Sequence, residues 1–213
     1  MPRPVAMVYG RDALLAGIAY LLFFLAGGLL IARYWLPGLR PLSRWYAGVS
    51  AGFLMMLWLP ALWAYAVAFS VTAHVLAMLS LLLLVMAAWL TRDRSPVVRF
   101  GAEDRRMLRA ILLVTVPLTL LAAWLEYTHS IRPAVDGYHV GQSTYGDLSL
   151  HLAVATSAVN ATFPLQNSLM VGATMAYPYL SDTFAATFLV LGSSLPAAMV
   201  LTGTFMCATV FFG

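Results

Sequence analysis

Polar and apolar residues fall along this chain in blocks, and most of the apolar blocks are long enough to cross a bilayer. Ala13 to Ala32 carries no charge; as a helix rising 1.5 Å per residue it matches about 30 Å of hydrocarbon. Arg33, Tyr34 and Trp35 follow as an interfacial anchor, and LPGLRPLSR is a Pro-rich basic loop. From Trp45 to Thr91 there is no Asp, Glu, Lys or Arg. A single helix of that length would run roughly 70 Å, so two spans are expected, folded back near Phe69, Ser70, Val71 and Thr72. Pro60 is expected to kink the first of them. TRDRSPVVRFGAEDRRMLR is the most charged stretch, and Ala110 to Leu125 reads as a fourth span around Pro117. A long polar segment comes next. A fifth span is expected from Ala176 to Leu191 and a sixth from Leu195, separated by Gly192, Ser193, Ser194 and Pro196.

The pattern predicts an all-α, polytopic transmembrane helical bundle of about six spans. Residues 1–126 form a four-span region, 127–176 a loop carrying a short amphipathic surface helix, and 177–213 two further spans. The chain is still apolar at Phe211, Phe212 and Gly213, which reads as a C-terminal truncation.

Composition agrees: hydrophobic residues make up 62% of the chain and charged residues 9%, too little charge to cover a soluble surface. The lipid bilayer is the first partner implied. All basic residues are Arg, and no basic patch is interleaved with exposed aromatics, so the net charge of +4 is no argument for nucleic acid. The single Cys207 excludes an internal disulfide framework. The first apolar block is long and lacks a small-x-small cleavage site, so it reads as a retained span.

Arg bias orients the bundle. Arg33, Arg40 and Arg44 follow the first span, and Arg92, Arg94, Arg99, Arg105, Arg106 and Arg109 lie between the third and fourth. The turn between the second and third spans has none, and the segment after the fourth has only Arg132. Alternate loops therefore sort, which puts the Arg-rich loops in the cytoplasm and the N-terminus and the 127–176 loop outside it.

Asp136, Asp147 and Asp182, with His139 and His151, concentrate the ionisable groups between residues 136 and 182. Leu148, Leu152, Ala155 and Val159 form an apolar stripe at helical spacing, with Ser149, Thr156 and Asn160 off it, as in a helix lying on a membrane surface. Asp147, just after Gly146, suits an N-cap; an exposed helix-initiating carboxylate can also take a proton or bind a cation. His151 shares its helix face. The two suit either a divalent metal or a carboxylate–imidazole hydrogen bond, and two ligands alone do not define a metal site. Asp136 and His139, between Gly137 and Gly141, read as an irregular solvated loop. In Tyr177-Pro178-Tyr179-Leu180-Ser181-Asp182 the proline suits a first helical turn and the tyrosines suit an interface. Asp182 then lies either one turn inside the fifth span, facing a cavity or a partner, or at a cap in the headgroup zone. His74 and the methionines within spans read as packing. No Gly-rich phosphate loop, HExxH, GxSxG or Cys-pair site occurs.

The ordered set Asp147, His151, Phe163-Pro164, Gly172-Ala173 and Tyr177 to Asp182, within Tyr145–Leu201, resembles membrane-embedded glycosyltransferases of the GT-C superfamily and bacterial polytopic membrane proteins related to them. The resemblance implies a bacterial inner-membrane enzyme of the cell envelope, transferring sugar from a polyprenyl-phosphate-linked donor on the outer face. Asp147 matches the acid that serves there as general base or metal contact, with a divalent metal ion as the cofactor to be considered. The candidate substrate-binding set is His151, Asp182, Tyr177, Tyr179, Asp136 and His139. In many members the key loop follows the first span, whereas here four spans precede it. Rival readings are an ion- or proton-coupled transporter using Asp147, His151 and Asp182, and a non-catalytic membrane subunit.

Overall fold

The computed structural model describes residues 11–141, 145–167, 170, 172–176 and 178–212, apart from the side chains of residues 11–13, 133 and 145. Tyr177, one of the candidate binding residues, lies outside the described residues. Among the described residues, seven helices and one hairpin follow in the order α1 (Arg11–Trp35), α2 (Pro41–Val67), α3 (Val71–Leu90), α4 (Ala102–His129), β1 (Ile131–Ala134), β2 (Gly137–Val140), α5 (Tyr145–Ala158), α6 (Leu180–Val190) and α7 (Leu195–Phe212). Five of the helices, α1 to α4 and α7, are long and apolar enough to cross a membrane. The chain is an integral membrane protein, and large apolar side chains such as Leu113, Leu120, Trp124 and Val210 stay exposed on its outer helices, where lipid covers them.

The expected hairpin of spans is present, with its turn at Ala68–Ser70. α2 runs through Pro60 and α4 through Pro117 without interruption, and α4 extends well past the expected Ala110–Leu125 at both ends. Its N-terminus is fixed by Asp104, whose carboxylate accepts from the Gly101 amide at 2.8 Å.

The expected fifth span is the main correction. Only Leu180–Val190 is helical there, about 16 Å of helix, too short to cross. The residues before it are held in extended pairing: the Met175 amide donates to the Leu165 carbonyl at 2.7 Å, and the Asn167 amide to Ala173 at 2.8 Å. Helix can start only beyond Pro178. α6 compensates for its length by burial: every residue from Asp182 to Phe188 is buried, as befits a helix apolar nearly all round. Phe184 and Phe188 join Tyr20, Phe24, Met56 and Leu81 in the central core.

α1 and α2 touch backbone to backbone. A Cβ added at Gly28 would overlap the Gly48 carbonyl and the Gly52 backbone, and one added at Gly52 would overlap Phe24. Gly48 and Gly52 form a small-xxx-small pair, the spacing that lets membrane helices approach closely. Between the two Arg-rich loops, the Asp93 amide donates to the Tyr34 carbonyl (3.0 Å) and the Val98 amide to Pro37 (3.1 Å), while Trp45 stacks on Phe100. Both loops therefore sit at one end of the bundle.

The polar segment covers the opposite end. The Phe69 amide donates to the Ala161 carbonyl (2.7 Å), the Asn160 amide to Phe69 (3.0 Å) and the Phe163 amide to Ala64 (3.0 Å). Phe69 is fully buried and lies parallel to Phe163, with ring centroids 5.5 Å apart. α5 thus spends its apolar face on protein: Val154 and Ala158 pack with Phe69 and Phe163, while Ser149, Thr156 and Asn160 stay exposed. The stretch expected to be irregular around Asp136 and His139 is a two-stranded antiparallel hairpin pairing Ile131 with Val140 and Ala134 with Gly137. Gly137, at φ +142°, supplies the turn conformation that other residues avoid.

Replacing Gly52 with Ile should force α1 and α2 apart, because the obstructing atoms are backbone and cannot rotate away. Destabilisation of about 1–3 kcal/mol is expected, read as a lower melting temperature in detergent; an unchanged melting temperature would remove the glycine seam from the account.

Candidate functional site

Four helices contribute one face each to a cavity of about 810 Å³ at the acid-bearing end. α4 offers Leu125, Glu126 and His129, with Ser130 just beyond it; α5 offers Asp147, Leu148 and His151; α6 offers Ser181, Asp182 and Ala185; α7 offers Met199, Thr202, Gly203 and Met206. Within each set the residues recur at one-, three- and four-residue steps (i, i+1, i+4 on α4, α5 and α6; i, i+3, i+4, i+7 on α7), so each set covers one broad helix face. Asp147 and Ser181 are exposed, whereas Asp182 and Thr202 are buried. Leu125, Ala185, Met199 and Met206 give the cavity apolar wall beside its carboxylates.

Asp147 is not an N-cap. α5 starts two residues earlier at Tyr145, which puts Asp147 inside the first turn, where a carboxylate is favoured by the helix dipole. His151 lies on the same face and bonds across to α6: Nδ1 is 2.8 Å from Asp182 Oδ1. With Asp182 ionised, Nδ1–H donates. Neither of the two placements open for Asp182 in the sequence describes it fully: it stands in the first turn of a helix that does not span, yet it is buried. Its second oxygen, Oδ2, is buried with no hydrogen-bond partner among the described residues. Burial pushes the Asp182 carboxyl above the usual aspartate range, and the hydrogen bond and charge of His151 oppose this in part.

The remaining candidates separate from this centre. Asp136 and His139 bond to each other on the hairpin, Nε2 to Oδ1 at 2.9 Å, with both side chains largely exposed, and neither lines the cavity. Tyr179 faces away from it. Its ring meets Phe163 edge to face, and it borders a smaller, mostly apolar pocket of about 270 Å³ with Trp58 and Tyr65. No group of three or more His, Cys, Asp or Glu placed to hold a metal ion occurs among the described residues. His74 is buried packing, its ring nitrogens 2.8 Å from the Ser70 carbonyl and 3.1 Å from the Thr187 hydroxyl.

Sequence reasoning missed Glu126 and His129, which fall just beyond the expected end of the fourth span at Leu125. The rule that drew attention to Asp182, an acid at the edge of an apolar helix, applies equally to Glu126. It missed Gly203 as well. A Cβ there would come within 2.6 Å of the Glu126 carboxylate, so the glycine leaves the room that the carboxylate occupies.

The sign of the Asp182 shift fixes a pH dependence. The folded-state value lies above the ordinary 3.8, so the folded protein holds this proton more tightly than the unfolded chain. That stability is complete below about pH 4 and is lost as pH rises through the raised value. The melting temperature of wild type relative to Asp182→Asn should therefore fall on going from about pH 4 toward neutrality; a flat difference would mean that the carboxyl is not desolvated. No protein-family model, curated protein or solved structure matches this chain.

Proposed function

We propose that the chain is a membrane-embedded glycosyltransferase-like protein, facing outward from a bacterial inner membrane, with the cavity between α4, α5, α6 and α7 as its site. One observation carries this reading: Asp147, His151 and Asp182 meet in a single cavity that also has an apolar wall. Such a cavity suits a substrate with a polar head and a hydrocarbon chain, as a polyprenyl-phosphate-linked sugar has. Asp147, at the exposed rim, takes the proton of the acceptor hydroxyl as the new glycosidic bond forms and the lipid phosphate leaves with the old one. Asp182 and His151, bonded to each other, form the polar floor that orients the acceptor.

A second reading, proton-coupled transport, is favoured by one feature: the buried Asp182 keeps one oxygen without a hydrogen-bond partner among the described residues, as a carboxyl that loads and releases a proton would.

The protein assayed with labelled polyprenyl-phosphate sugars should transfer label, and Asp147→Asn should lower turnover by about 10²–10⁴-fold, the usual contribution of a general base. Undiminished turnover in that variant would exclude Asp147 as the base. Loss of pH-driven uptake in Asp182→Asn vesicles, without any sugar transfer by wild type, would select the transport reading.

A further inference from the structure

The Arg-rich end of the bundle holds a second cavity, of about 590 Å³, between the α1–α2 connection and the segment leading into α4. Arg33, Arg44 and Arg99 line it, with Trp45 and Phe100 at its side. Arg44 is the unusual member, because it is nine-tenths buried. Its guanidinium donates to three carbonyls, Pro37 (3.0 Å), Leu39 (3.1 Å) and Val98 (3.0 Å). These bonds satisfy part of a five-donor group but bring no negative charge.

The acids of the same loops are occupied elsewhere. Asp93 accepts from the Ser95 amide at 2.8 Å, Asp104 caps α4, and Glu103 lies 3.7 Å from Arg40. None of them pairs with Arg33, Arg44 or Arg99 among the described residues. A buried charge without a counter-ion is costly, and two further cations on one cavity raise that cost. The N-terminus of α2 opens at the same place, with Pro41 in the cavity wall and no side-chain cap on its first turn. Its positive dipole end adds to the field.

We propose that this cavity binds a phosphate-bearing anion, with Arg33, Arg44 and Arg99 as its ligands. Two sources share that chemistry: the headgroup of an anionic phospholipid in the adjoining leaflet, and a soluble phosphate or pyrophosphate. Basic pockets between membrane helices take lipid headgroups by this electrostatics. Arg44 holds the two loops together through their carbonyls, and Arg33 and Arg99 close on the anion from the exposed sides. The site is remote from the acid-lined cavity and stands whether or not the chain transfers sugar.

The test uses the full chain reconstituted into phosphatidylcholine vesicles with and without phosphatidylglycerol, and in detergent with and without inorganic phosphate or pyrophosphate. The readout is the melting temperature followed by tryptophan fluorescence. A ligand of the folded state raises the melting temperature with its concentration. The Arg33→Gln/Arg99→Gln variant, which leaves Arg44 in place, should bind roughly tenfold more weakly or worse, while melting as wild type does without ligand. Arg105→Gln/Arg109→Gln, at the same end but outside the cavity, should respond as wild type does. Stabilisation by phosphatidylglycerol alone would identify a lipid headgroup, and stabilisation by phosphate or pyrophosphate a soluble anion; both support the site. Absence of stabilisation by every probe overturns it, and so does equal weakening in the two double variants, which would mean a diffuse surface field.

Discussion

Backbone polar groups at the end of a membrane bundle have to be satisfied, and in this protein the way they are satisfied sets the position of everything beyond. The turn between α2 and α3 and the connection leaving α5 exchange hydrogen bonds through Phe69, whose amide and carbonyl are both taken by Asn160 and Ala161. Each such bond contributes on the order of 1 kcal/mol net, and burial of the Phe69 ring against Phe163 contributes a further 1.5–3 kcal/mol or about that. The consequence is geometric. α5 is pinned over the bundle, the chain turns back at Phe163, and α6 enters between the longer helices with Asp182 under His151. Were this clasp absent, α5 would be free to lie on lipid, and the carboxylates would have no common cavity.

The two ends of the molecule are chemically opposite. Arginines from both long loops gather at one end around carbonyl oxygens and an uncapped helix start; at the other gather carboxylates from α4, α5 and α6 and imidazoles from α4 and α5. Between them lies a core of aromatic and small residues, closed by the glycine seam of α1 and α2. The two cavities lie at opposite ends of the bundle and share no lining residue.

Within the acid-bearing cavity the groups are not equivalent. Asp147 is exposed and free to meet a solute at the rim, whereas Asp182 is buried, held on one side and unsatisfied on the other. Burial raises the affinity of the Asp182 carboxyl for a proton, and the His151 hydrogen bond offsets this in part. Glu126, half-buried and accommodated by Gly203, adds a third acid from α4. The apolar side chains of α4 and α7 beside these groups make the cavity amphipathic, and the transferase reading draws on that more than on any single residue.

The sequence by itself determined the membrane class, the four leading spans, the hairpin turn near Phe69 and the separation of Arg-rich from acid-bearing loops. These depend on runs of residues, and the cost of burying charge in hydrocarbon makes such runs unambiguous. It also placed Asp147 and His151 on one face of α5, because four-residue spacing is a local property. Only the tertiary structure decided the rest. α6 starts only at Leu180, beyond a stretch in which Ala173 and Met175 are tied to Asn167 and Leu165 by backbone hydrogen bonds that have no signature in hydropathy. Asp136 and His139 are led away by a hairpin whose register depends on the pairing of β1 with β2. Asp182 meets His151 across 31 residues, and Glu126 meets Gly203 across a still longer interval, so neither pair has a periodicity to reveal it. Spacing within a helix can be read from the chain, but contacts between helices exist only once the packing has chosen them.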